Sequence, residues 1–127
     1  MTFNSQISFL YYKNLERAIE FYEKIFDFKL TFDQGWAKIY QITDGAFIGL
    51  VDEKRGYFNW QKEKTVMITL VTKKADDVDN WYKELQKHNV KFLSEPRDID
   101  EIGIRCFIFE DPEGYVVEIQ YFYNGKN

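Results

Sequence analysis

A chain of 127 residues has the length of one domain, and its mix of 45% hydrophobic and 30% charged residues excludes a disordered or fibrous polypeptide. The net charge of −4 repels nucleic acid, and the basic residues are scattered rather than massed on one segment. Charges interrupt every apolar run well short of the ~20 residues that span a bilayer, and no basic segment precedes an apolar one near Met1, so no membrane role and a cytoplasmic location are expected.

Single-residue counts exclude more. One cysteine, Cys106, permits neither an internal disulfide nor a cysteine-based zinc site. One histidine, His88, permits no two-His or three-His metal centre within one copy of the chain. The unusual feature is aromatic content, 19% of the residues, which points beyond a core to an aromatic-lined cavity or an aromatic-rich subunit interface.

In chain order, a short alternating run rich in β-formers comes first, with Ile7, Phe9 and Tyr11 on one face. A helix follows, its apolar residues Leu15, Ala18, Ile19, Tyr22 and Ile25 at helical spacing, with Asn14 as its cap and Glu16 in its first turn. Three strands are expected at residues 29–32, 36–42 and 46–51, separated by Gln34-Gly35 and Asp44-Gly45. Residues 53–64 read as a linker, although Tyr57, Phe58 and Trp60 are odd company for a spacer.

The second half repeats the first at an offset of sixty: Leu10 falls on Leu70, Ala18 on Val78, Phe21 on Trp81, Tyr22 on Tyr82 and Ile25 on Leu85. Its alternating run carries Met67, Thr69 and Val71 on one face. Its helix starts at Asp76 and Asp77 and ends near His88-Asn89, where Asn89 can close it in the left-handed conformation and His88 faces solvent. Strands are expected at 90–93, 104–109 and 115–122, separated by Ile102-Gly103 and Asp111-Pro-Glu-Gly114, with Asp98-Ile-Asp-Glu101 as a solvated loop.

The segment Leu15-Glu-Arg-Ala-Ile-Glu-Phe-Tyr in the first helix and Asp111-Pro-Glu-Gly-Tyr-Val-Val-Glu-Ile in the last hairpin, with the repeat between them, resemble the vicinal oxygen chelate superfamily of glyoxalase I, bleomycin-resistance proteins and extradiol dioxygenases. The resemblance implies an α+β fold of two βαβββ modules, about 5–52 and 65–122, whose sheets curl half-open around a cleft. Metal-dependent members place a ligand on the first and last strand of each module. The matching positions here are Ile7, Gly49, Met67 and Glu118. One carboxylate cannot hold zinc, nickel or iron, so no metal and no cofactor are expected, and Gln6 could enter the set only through a bulge.

Glu118 is the one catalytic candidate. It either pairs with a neighbour such as Arg105, lies in water near the cleft mouth, or faces a ligand as acid or base. If it faces the cleft, alternation adds Val116, Gln120 and Phe122, beside Phe9, Tyr11, Phe47, Gly49, Val51 and Met67. Arg105 and Phe107 are taken as ligand contacts, Arg105 as a clamp for an anionic group or a pair with an acid, and Cys106 as an inert core thiol. Trp36, Tyr40, Tyr57, Phe58 and Trp60 suit either a lid or a dimer contact. The resemblance implies a metal-free homodimer binding a small organic ligand, as in antibiotic sequestration; the alternatives are a glyoxalase-like metal-dependent lyase or isomerase, or a non-catalytic regulatory module.

Overall fold

The computed structural model describes residues 1–125. Its elements fall into two units, Met1–Lys62 and a second from Glu63 onward. The fold is α+β, and each unit is one mixed sheet carrying one helix.

In the first unit the order is β1 (Gln6–Tyr12), α1 (Leu15–Ile25), β2 (Lys29–Asp33), β3 (Ala37–Thr43) and β4 (Ala46–Asp52). The sheet runs β1-β4-β3-β2, with β1 parallel to β4 and the other pairs antiparallel. The Asn14 side chain accepts from the Arg17 N–H at 3.1 Å and so satisfies one orphan amide of the first turn of α1. The buried face of α1 is Leu15, Ala18, Tyr22 and Ile25, with Ile19 of the stripe read from the sequence only half-buried at its edge. It lies on the same side as the buried Leu10, Tyr12, Ile48 and Leu50 of the sheet.

Tyr40 belongs to this packed side. Its hydroxyl donates to the Glu23 carboxylate on α1, and burial, followed by that bond and the Glu23 charge, pushes the phenol well above its ordinary range. Replacing Tyr40 with Phe removes one charge-assisted bond without leaving a void. It is expected to lower unfolding free energy by about 1 kcal/mol, read in urea as a shifted midpoint with an unchanged slope.

The second unit contains β5 (Met67–Val71), α2 (Ala75–Leu85), β6 (Lys91–Phe92), β7 (Arg97–Ile99), β8 (Ile104–Glu110) and β9 (Val116–Phe122). Here β5 is parallel to β9, β9 is antiparallel to β8, and β6 and β7 both pair with β8. The helices start sixty residues apart, as the repeat predicts, but the last strands start seventy apart. Seven of the ten extra residues lie between α2 and β8 and three in the β8–β9 turn; the strand expected at 90–93 shrinks to β6, and β7 follows it as a second short piece. Leu93 and Ser94 both donate to the Ile108 carbonyl, and Pro96 has no N–H to contribute, so the ladder breaks between them. The run at 98–101, expected as a solvated loop, instead begins inside β7.

Helix α2 ends differently from expectation too. No described non-glycine residue has positive φ, so Asn89 does not close it in the left-handed form. Bonds from Lys87 N–H to Glu84 and from His88 N–H to Leu85 tighten the exit instead, and His88 is half-buried with a ring nitrogen 3.6 Å from Glu84. In the turn between β8 and β9, one carboxylate oxygen of the buried Asp111 accepts from the N–H groups of Glu113 and Tyr115 at 2.9 and 3.0 Å. Gly114 supplies the positive φ, +91°, that the turn needs. Among the described residues no helix is long and apolar enough to cross a membrane.

Candidate functional site

A helix covers one face of each sheet, and period-two alternation sends every second side chain to the other face. In the first unit that open face carries Ile7, Phe9 and Tyr11 of β1, in register with Phe47, Gly49 and Val51 of β4. Ile39 and Gln41 of β3 pair with Gly49 and Phe47 and so join the same face, and Phe32 of β2 pairs with Ile39. Phe9 is 45% exposed and Phe32 51%, despite their size.

Gly49 is not an empty position. A Cβ placed on it would lie 2.4 and 2.5 Å from two ring carbons of Phe9. The Phe9 ring therefore crosses from β1 onto β4 and occupies the place a side chain would take. Gly56 is crowded in the same manner, by Val51 and Tyr11, which lets the 53–58 loop close over that end of the face. There the Tyr11 ring meets Phe58 edge-on at 5.5 Å between centroids, and Phe58 meets the largely exposed Tyr57 at 4.8 Å.

The tryptophans are held by cations. The Arg55 guanidinium lies over Trp36 at 5.4 Å, and the Lys13 ammonium over Trp60 at 4.3 Å. The Trp60 backbone N–H also donates to the Glu53 carboxylate at 3.0 Å. Tyr40 is the misplaced residue of this unit: it is buried on the α1 side and cannot meet a ligand on the open face.

On the second unit the open face carries Met67, Thr69 and Val71 beside Val116, Glu118 and Gln120. The Thr69 hydroxyl donates to Glu118 at 2.8 Å. With its amide turned so that nitrogen faces the carboxylate, Gln120 donates to both Glu118 oxygens at 3.1 and 3.3 Å. The Cys106 thiol sits at this cluster; burial, then the Glu118 charge and hydrogen bond, push it up, while Arg97 pulls the other way. A buried thiol of raised pKa is a poor nucleophile.

Arg105 and Phe107 do not belong with Glu118. The β8–β9 register pairs Ile108 with Glu118 and Cys106 with Gln120, which sends odd-numbered residues of β8 to the α2 side. Arg105 there makes a two-pronged contact with Asp79, 2.8 Å from each nitrogen used, and a third bond to Asp98 at 3.2 Å. Its partners are these two acids, not Glu118. Phe107 is fully buried against Tyr82, Phe92 and Phe109. The signal that would have placed both was in the sequence: counting pairs outward from the turn at 111–115 fixes the parity of β8.

The positions that the resemblance assigns to metal ligands fall two to each unit. On the first, Ile7 and Gly49 bring no donor, and the Phe9 ring fills the space over Gly49. On the second, Met67 brings a thioether, and the Glu118 carboxylate already accepts from Thr69 and Gln120.

The chain matches the family model described as "Glyoxalase/Bleomycin resistance protein/Dioxygenase superfamily" over residues 5–119. It is 26% identical over 117 residues to the uncharacterized protein YraH of Bacillus subtilis (strain 168), spanning 92% of this chain and 88% of that one. Among solved structures it is similar to a glyoxalase/bleomycin resistance protein/dioxygenase from Nocardioides, at a TM-score of 0.78 and 21% identity over 100% of this chain and 87% of that one. A lactoylglutathione lyase from Agrobacterium tumefaciens superposes with a TM-score of 0.76 at 15% identity, over 95% of each chain.

Proposed function

The chain belongs to the Glyoxalase/Bleomycin resistance protein/Dioxygenase superfamily, and from that membership we propose that it binds a small aromatic or hydrophobic organic molecule without a metal ion and without turnover. The observation that carries this reading is the open face of the first sheet, where Ile7, Phe9 and Phe32 remain exposed. The donor set at Ile7, Gly49, Met67 and Glu118 supports the metal-free part. Glu118, fixed by Thr69 and Gln120, is a placed acceptor on the second sheet rather than a catalytic base; no histidine or reactive thiol completes a proton relay beside it among the described residues.

Exposed Leu30 on the outer strand β2, on the face away from Phe32, favours a homodimer as part of the same proposal, and a cytoplasmic location completes it. Sedimentation equilibrium at micromolar concentration that returns a monomer would remove the dimer.

Screening small aromatic compounds by thermal shift tests the binding. A ligand present at a hundred times its Kd adds about 2.7 kcal/mol to the folded state, a shift of several degrees. Silence across a broad panel of aromatic and aliphatic compounds counts against binding. Protein purified without chelator is expected to carry transition metal far below one ion per chain. A stoichiometric ion that disappears in Glu118→Ala would favour the lyase or isomerase alternative instead.

A further inference from the structure

One row of residues runs straight across the first sheet on its open face. Phe9 on β1 pairs with Gly49 on β4, Gly49 with Ile39 on β3, and Ile39 with Phe32 on β2. The end strands of that row are about 14 Å apart at the usual strand spacing. Its two ends are aromatic and half-exposed, and the position beside Phe9 has no side chain at all.

That missing side chain is what fixes the shape of the row. Ring carbons of Phe9 lie within 2.5 Å of where a Cβ at position 49 would stand, a separation real Cβ atoms do not tolerate. With any larger residue at 49, the ring would have to swing off β4. With glycine, it settles onto the strand, backed by the sheet, while its outer surface stays open to solvent. Gly49 itself is buried beneath it.

On the ligand-binding reading above, we infer that Gly49 and Phe9 act as one specificity-determining unit, seating an aromatic shelf from Phe9 to Phe32 that selects planar, conjugated ligands over puckered ones of equal size. A planar molecule meets with its whole face the Phe9 ring, backed by Gly49, and the neighbouring Ile39. A saturated ring system of the same carbon count touches the shelf only through its axial hydrogens. It also lacks the π-system that makes ring pairing stronger than burial alone.

The test is equilibrium dialysis of 1-naphthol and of its saturated counterpart decahydro-1-naphthol against the full chain, its Gly49→Ala variant and its Phe9→Leu variant. The unaltered protein is expected to hold 1-naphthol about five-fold more tightly, the factor a single aromatic pairing supplies. Both variants should bring the ratio near one. Circular dichroism reports whether Gly49→Ala keeps its fold; Phe9→Leu leaves the glycine in place and carries the test if it does not.

A ratio near one in the unaltered protein, or a preference that survives Phe9→Leu, overturns the inference. So does a Phe9→Leu variant that turns a dimer into monomers with its dialysis ratio intact, because the ring would then be an interface residue. If neither naphthalene derivative binds, the inference falls, and the thermal-shift panel decides the rest. A hit there leaves the ligand-binding reading standing, and silence there takes both.

Discussion

Phe107→Ala is expected to lower the unfolding free energy by about 3–5 kcal/mol, enough to leave a domain of this size only marginally folded. The ring has 0% exposure and touches Tyr82 on α2, Phe92 on β6 and Phe109 on its own strand, so truncation opens a cavity that three other rings border. Neighbours this rigid collapse poorly into a void, which places the cost in the upper part of the range for an aromatic truncation. Differential scanning calorimetry of the two proteins measures it. A variant with a near-normal melting point would mean that Phe107 does not sit in the core of the second unit. Phe9→Ala is expected to give the opposite profile: its half-exposed ring contributes less burial, so stability should change little, while the proposed ligand binding should be lost in the thermal-shift screen.

The second large effect concerns Arg105. Arg105→Met keeps the length and the apolar stem but removes the guanidinium that two carboxylates share. The loss at pH 7 is expected to be about 1–2 kcal/mol, reduced from a buried pair because the Asp79 side chain is 40% exposed. The pH dependence identifies the cause. The hydrogen bond from Arg105 holds Asp79 below its ordinary value of 3.8, and hydrogen bonds from Tyr123 and then Arg105 do the same for Asp98. A carboxyl whose folded pKa is depressed stabilises the fold above its unfolded pKa, and that stability is lost as pH falls through the folded one. The unaltered protein should therefore lose stability from just above pH 3.8 downward. In Arg105→Met this acid limb flattens. Urea midpoints at pH 7 and pH 3 test it, since the gap between the two proteins must shrink at the lower pH. A gap that stays constant would assign the cost to lost packing of the arginine stem.

Much of this architecture was legible because alternation and helical spacing reflect burial, and burial dominates folding. Leu10 and Tyr12 face the helix while Ile7 and Phe9 do not, as their spacing implies. The phase of β8 was not legible from that strand alone. Cys106 and Phe107 are both buried, so hydrophobicity does not tell one face of the strand from the other. Only the pairing across the 111–115 turn does, and it reassigns Arg105 and Phe107. Tyr40 illustrates a related ambiguity: a tyrosine suits a ligand surface or a core equally well, and the choice was made by Glu23, seventeen residues away on α1. The seating of Phe9 on Gly49 was hidden for a different reason. A glycine on a strand announces space, but what fills the space is a matter of register between β1 and β4.

The interruption between β6 and β7 bears on how the protein behaves when crowded. A free sheet margin can recruit the backbone of a stranger, and long uninterrupted margins do so most readily, which is one origin of fibrils. Here the margin outside β8 is offered in pieces of two and three residues, with a proline between them. An incoming chain would lose its hydrogen-bond partners after a single pairing, so this border of the second sheet resists templated aggregation by being discontinuous.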